Sequence, residues 1–153
     1  PIVRTPFPPA IRDRSSIFGA SRQTLLRTCF RIGEALNAGT QAVRTNRHVV
    51  LELYARVMQS WREPRPGRKQ HFIFHDLYHD QTPHLDGCFE LWDQSQLWDM
   101  DSKVFLTARK GGMLCRVIAK MRRNGAQWRL EVLSIWQACW EDVEHVAGVY
   151  VKG

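Results

Sequence analysis

From Val49 onward, apolar and polar positions alternate with a period of two. Val49, Leu51, Leu53, Ala55 and Val57 fall on one face, and Glu52, Tyr54, Arg56 and Met58 on the other. This pattern predicts a half-buried strand of about ten residues. A loop rich in proline, glycine and arginine follows (Glu63–Lys69), and then an aromatic and β-branched run, Gln70–Tyr78, that reads as a second strand. The two should pair as an antiparallel hairpin around Pro64–Gly67. Residues 79–87 carry His79, Asp80, Pro83, Asp86 and Gly87 and read as a turn, with a third short strand expected over Cys88–Trp92. Residues 93–110 suit either a short helix or a packed loop. Leu114–Arg122 alternates again, with Cys115, Val117, Ala119 and Met121 on one face. Asn124-Gly125 is a strong hairpin signal, and Gln127–Ile135 returns as the partner strand with Trp128, Leu130 and Val132 inward.

The ends are less regular. Pro1, Pro6, Pro8 and Pro9 block regular structure, so residues 1–20 are expected to form an extended arm. Residues 20–37 look partly helical, with Ser21 as a candidate N-cap and Asn37 with Gly39 as the stop; Arg31–Asn37 could equally be an extended approach to the strands. Glu141–Val149 starts with acidic residues and reads as a short terminal helix or turn. The expected organisation is one domain over 21–150, with a strand core at about 48–139.

The bulk numbers fit such a domain. At 153 residues, 44% hydrophobic and 24% charged, with six Trp and seven Phe, the chain can fill a core. No stretch approaches the ~18 apolar residues of a membrane helix. An initial Pro without a leader pattern reads as a piece of a longer protein. A net charge of +7 favours an anionic partner. Cys29, Cys88, Cys115 and Cys139 are far apart and form no CxxC pair, which argues against a zinc ribbon. Cys115 and Cys139 lie in apolar strand-like runs, where a free thiol acts as a small hydrophobe; a reducing compartment fits best.

Two long strands in a hairpin, a third strand, an irregular connection and a second hairpin follow the order of a five-stranded oligonucleotide-binding (OB) barrel. The segment VLELYARVMQSW resembles the first strand of that family, HFIFHDLYHD its second, and LCRVIAKMRRNGAQWRLEVLSIWQA its closing hairpin. The resemblance covers about residues 48–139. It implies a mainly β fold, an OB-type barrel with an N-terminal helical or extended arm and a short C-terminal helix. It also implies a nuclear protein of replication, repair or telomere type that binds single-stranded DNA (or RNA), or that joins other subunits of such a complex as a protein-interaction module.

OB barrels bind single strands across their second and third strands, between the loop joining strands one and two and the loop joining strands four and five. Cations follow the phosphates there, and aromatic planes stack on bases. The first hairpin offers Arg56, Trp61, Arg62, Arg65, Arg68 and Lys69; the second strand offers His71 and His75; the closing hairpin offers Arg116, Lys120, Arg122, Arg123, Trp128 and Arg129. The competing readings are a solvated hairpin tip for the charges and core packing for the tryptophans. Phe72 and Phe74 are expected in the core. For a protein partner, Trp92 and Trp98 in the acidic-aromatic stretch, and Trp140 and Tyr150 in the terminal segment, are the docking candidates.

No catalytic signature is present: no phosphate loop, no GxSxG, no HExxH. His71, His75 and His79 would share one face of a strand but span roughly 26 Å, too far for one ion. His79, Asp80, His84 and Asp86 could cluster in the turn, yet read first as polar turn residues. The expectation is therefore binding, not catalysis, with no metal and no cofactor.

Overall fold

The computed structural model describes residues 24–107 and 109–152. In chain order its elements are strand β1 (Leu25–Cys29), helix α1 (Ile32–Arg44) and strands β2 (Val49–Arg62), β3 (Gln70–His75) and β4 (Leu85–Phe89). Helix α2 (Gln96–Lys103), strands β5 (Met113–Asn124) and β6 (Gln127–Gln137), and helix α3 (Trp140–Lys152) follow. Short 3-10 turns at Trp92–Gln94 and Val104–Leu106 flank α2. The proline-rich lead 1–20, Ser21 and the side chain of Tyr150 lie outside the described residues.

Strand pairing closes a barrel. β2 pairs antiparallel with β3, β3 with β4 and β5 with β6; β4 runs parallel to β6; and β5 returns antiparallel to β2 over Leu51↔Ala119 to Val57↔Met113. The ring is therefore β2-β3-β4-β6-β5-β2, the OB order, with a helix between its third and fourth strands. Inward residues from all five strands form one core, including Leu51, Leu53, Phe72, Phe74, Leu85, Val117 and Leu130. Ile32 and Ala35 of α1, and Phe105 after α2, complete it.

A one-residue bulge decides which way β2 faces. Val57 pairs with Phe74 and Gln59 with Ile73, so Met58 is extra. Before it, Leu51, Leu53, Ala55 and Val57 point inward, as the alternation predicts. Beyond it the parity inverts: Ser60 pairs with buried Phe72, and Trp61 pairs outward with His71. Gly112 makes room for the bulge. Its φ is +81°, and a Cβ there would lie 2.5 Å from Met58 Sδ and 3.1 Å from the Val57 carbonyl oxygen. A second bulge, at Leu133, turns that side chain outward to Val50 and Ile118 while Val132 and Ile135 stay inside.

Several local expectations are corrected. Leu25–Cys29 is a strand, not the start of a helix, because it pairs parallel with Val49–Leu53. The helix begins at Ile32 and passes through Asn37 and Gly39 to Arg44. Its first turn is capped from afar, since the Asp76 carboxylate accepts the Ile32 N–H at 3.2 Å. Gly39 lets α1 lie on β5; a Cβ there would come within 2.7 Å of Met121. The second barrel strand ends at His75, not Tyr78, because Asp76 turns away to make that cap. The third strand is Leu85–Phe89, not Cys88–Trp92. Gly87 belongs to the ladder opposite Phe72, where a Cβ would meet the Phe74 ring at 2.5 Å. In the closing hairpin Asn124 pairs with Gln127, so the turn residues are Gly125 and Ala126, with Gly125 at φ +66° as a type II′ turn requires. Cys139 is exposed just beyond β6, whereas Cys29, Cys88 and Cys115 are buried free thiols. Burial raises the Cys29 thiol to about 12. α3 rests on the outside of the barrel through Val143 and Val146 against Tyr54 and Leu77.

Candidate nucleic-acid interface

The outer faces of β2 (beyond its bulge), β3, β4 and β6 form two cross-strand rows. One runs Trp61, His71, Cys88, Glu131; the other runs Gln59, Ile73, Asp86, Arg129. A groove of about 160 Å³ lies over Trp61, His71 and Cys88 of the first row and Ile73, Asp86 and Arg129 of the second, and reaches Asn124, Gln127 and Trp128 at the β5–β6 turn.

Among the described residues, Trp61 is the one large aromatic set openly on this face. It is 46% exposed, and its ring stacks on His71 with centroids 5.3 Å apart and planes 18° from parallel. One indole face is thereby braced and the other is available to a planar ligand. His71 is held in turn by Glu63, with Nε2 2.6 Å from the carboxylate. That hydrogen bond keeps the Glu63 carboxyl below its ordinary range, with the Lys69 N–H helping. Trp128, half-buried at the edge of the core, has the Arg123 guanidinium 5.4 Å from its ring centre.

The expected cations divide into three groups. Arg56, Arg62 and Arg116 make structural contacts. Arg56 donates to the carbonyls of Asp76, His79 and Gly111 at 2.8, 2.9 and 2.9 Å and pairs with Asp80, bracing the turn after β3. Hydrogen bonds from Arg56 and then His75 hold the Asp80 carboxyl below its usual range. Arg62 points to the other side of β2, pairing with Asp99 at 2.9 Å under the Trp92 ring at 3.6 Å, and so ties down α2. Arg116 pairs with buried Glu52 at 2.6 Å. The second group sits at the loop rims with carboxylate partners: Arg68 with Asp93, Lys69 with Glu90, and Arg122 with Glu131; Lys120 lies cross-strand from Glu131. The third group, Arg65, Arg123 and Arg129, has no carboxylate partner among the described residues. His75 lies outside the groove, stacked on His84 at 3.7 Å. Ile73, Asp86 and Gln127 line the groove and were not foreseen; only the strand parity of Ile73 could have signalled it.

The docking candidates also separate. Trp98 packs toward Phe89 at 6.3 Å, and Trp92 donates its N–H to the Arg68 carbonyl, so both turn inward. Trp140 is 44% exposed beside Tyr78, which is 61% exposed, with ring centres 5.8 Å apart. Among the described residues, no three His, Cys, Asp or Glu side chains gather as a metal site requires. No helix among them is long and apolar enough to cross a membrane.

Barrel closure, strand order and a groove across the second and third barrel strands define an OB-fold domain. Neither a family model nor a curated protein matches the chain. Among solved structures it is similar to a chain of the S. pombe Stn1–Ten1 complex, at a TM-score of 0.48 and 13% identity over 66% of each chain. It is similar also to a chain of the yeast Stn1 and Ten1 structure, at a TM-score of 0.48 and 7% identity over 84% of this chain and 90% of that one. The fold assignment stands on the pairings themselves.

Proposed function

We propose that this OB domain binds single-stranded DNA across the outer face of β3 and β4, within a nuclear genome-maintenance protein. The observation that carries the reading is Trp61, turned out by the Met58 bulge and braced on His71 at the mouth of a groove. A base stacks on the free indole face while phosphates run past Arg65 at one end and Arg123 and Arg129 at the other. Asp86 and Glu63 lie in the same region, so the groove is of mixed charge and stacking leads over phosphate attraction. The domain binds and does not catalyse.

Fluorescence anisotropy of a labelled ~20-nucleotide single strand tests this, because an OB fold covers about 4–16 nucleotides. Salt-sensitive binding that Trp61→Ala weakens by about tenfold is the expected result. Binding that ignores Trp61→Ala, or no binding at micromolar protein in low salt, overturns it. A second reading, assembly with another subunit, is favoured by the exposed Tyr78–Trp140 pair. It requires that Tyr78→Ala with Trp140→Ala abolish co-purification with that subunit while leaving DNA binding intact.

A further inference from the structure

Away from the groove, one surface concentrates positive charge without acidic partners. Arg44 occupies the last turn of α1, Arg47 the connection to β2, and Arg27 the neighbouring strand β1. All three are exposed, and none has an ion pair or hydrogen-bonded carboxylate among the described residues. In this they differ from Arg56, Arg62, Arg68, Arg116 and Arg122, each held by an Asp or Glu.

Two of the three, Arg27 and Arg47, also line concave surface. A groove of about 330 Å³ between β1 and α1 is bounded by Arg27, Gln41, Thr45 and Arg47. A second, of about 220 Å³ between α1 and β5, is bounded by Arg47, His48, Lys120 and Arg122. The two share Ala42, Arg47 and Val49, and among the described residues no carboxylate lines either. Arg122 precedes the β5–β6 turn by a few residues, and the stacking groove reaches that turn through Asn124 and Gln127. Cations therefore stand on either side of Arg122 and its partner Glu131: Arg129 and Arg123 at the turn, and Arg47, Arg44 and Arg27 beyond. The C-terminal end of α1 carries the negative pole of its dipole, which disfavours an anion. The guanidinium groups grouped there reverse that field.

We propose that a single strand leaving the stacking groove at the β5–β6 turn continues over the C-terminal end of α1, with its phosphates held by Arg47, Arg44 and Arg27. This rests on the single-strand reading above and extends it to a site on α1 and β1. A nucleic-acid backbone fits better than an acidic peptide because the cations follow one another beyond the turn at which the stacking groove ends.

The test separates the two sites by strand length. The full chain is titrated with labelled strands of ~6 and ~20 nucleotides, within and beyond the span of one OB groove. Each variant is first checked for an unchanged melting temperature. Arg27→Gln/Arg44→Gln/Arg47→Gln is expected to weaken the long strand about tenfold at low salt. It should also flatten the log K against log salt slope by about 2, at roughly 0.7 for each phosphate no longer neutralised. The short strand should be unaffected, and Arg→Lys at the same three positions should keep the long-strand affinity. Trp61→Ala should weaken both strands. If the triple Gln variant leaves the long-strand slope unchanged while Trp61→Ala still weakens binding, the path over α1 is wrong and the groove stands. If the triple variant weakens both lengths equally, the arginines do not extend the path and the proposal fails. If Trp61→Ala changes neither length, the groove reading fails and the continuation fails with it.

Discussion

The two halves of β2 are one strand in two environments. From Val50 to Ala55 every residue is buried: the inward side chains fill the barrel, and the outward ones are covered, Glu52 by Arg116 and Tyr54 by α3 and the Phe30 ring. From Gln59 to Arg62 the strand is half open, with Trp61 facing solvent and Arg62 turned in to hold α2. Both halves carry large aromatics and arginines. Composition therefore does not separate structural from ligand-facing residues; parity does, and a single inserted residue inverts it.

Removing that residue should give the largest effect. Deleting Met58 leaves Gln59, Ser60 and Trp61 opposite Ile73, Phe72 and His71 on a ladder without a bulge, so the faces stay and the bend is lost. Losing the bend and extra twist with which β2 closes against both β3 and β5 should cost about 3 kcal/mol, read from the urea midpoint. A deletion variant as stable as the parent would show that the barrel closes without the bulge. Gly112→Ala attacks the same point from β5. A positive φ without glycine costs about 1–2 kcal/mol, and the clash with Met58 Sδ and the Val57 carbonyl adds to it. The expected loss is about 2 kcal/mol, whereas Gly33→Ala, in the open on α1, should gain up to about 1 kcal/mol.

The same comparison shows what was legible in the sequence. Alternation revealed the inward faces of β5 and of the first half of β2, because those residues keep their parity to the end of the run. Bulges carry no residue type of their own, so the outward turn of Trp61 was invisible. β1 was hidden because a five-residue strand with Leu25 and Arg27 exposed gains its order from parallel pairing with β2, some two dozen positions away. The Asp76 cap on α1 is equally non-local. At the site, the arginines were legible as charges, but their partners were not. Arg62 meets Asp99, Arg116 meets Glu52 and Arg56 meets Asp80, each far along the chain. Only folding distinguishes these from Arg65 and Arg129.

Trp61→Ala sharpens the contrast from the functional side. Its side chain faces solvent, so stability should stay within about 0.5 kcal/mol of the parent. Affinity for a single strand should fall about tenfold, a loss within the ~1–3 kcal/mol of one stacked base. Leu53→Ala, eight positions earlier and fully buried, should do the reverse: about 3 kcal/mol lost in stability and, at temperatures where the variant is folded, little change in affinity. Parallel urea and anisotropy titrations of the two variants measure this split. Equal losses in both readouts would mean that Trp61 supports the barrel and does not face a ligand.

Acid is the gentlest way to probe the buried half. The turn after β3 is held to it by carboxylates: Asp80 pairs with Arg56 of β2, and Asp76 pairs with Arg31 at 3.0 Å while capping α1. For Asp76, burial pushes the carboxyl up, but hydrogen bonds from Arg31, the Tyr78 N–H and the Ile32 N–H overcome it, so the net shift is downward. Asp80 is also lowered. A carboxyl lowered on folding binds its proton more weakly in the native state than in the unfolded chain. Its contribution is therefore complete above the unfolded value, near 3.9 for Asp, and is lost as the pH falls through the lower folded value. The urea midpoint should accordingly be level with respect to these two groups above about pH 5 and decline progressively below it. Asp76→Asn removes one of the two titrations and should flatten the decline while lowering the plateau, because the neutral amide pairs less strongly with Arg31 and caps α1 less well. A decline of undiminished steepness in Asp76→Asn would assign the acid sensitivity to other carboxyls, Glu63 beneath His71 among them. In that case the half of β2 that carries the groove, and not the half that carries the core, would be the first to respond to acid.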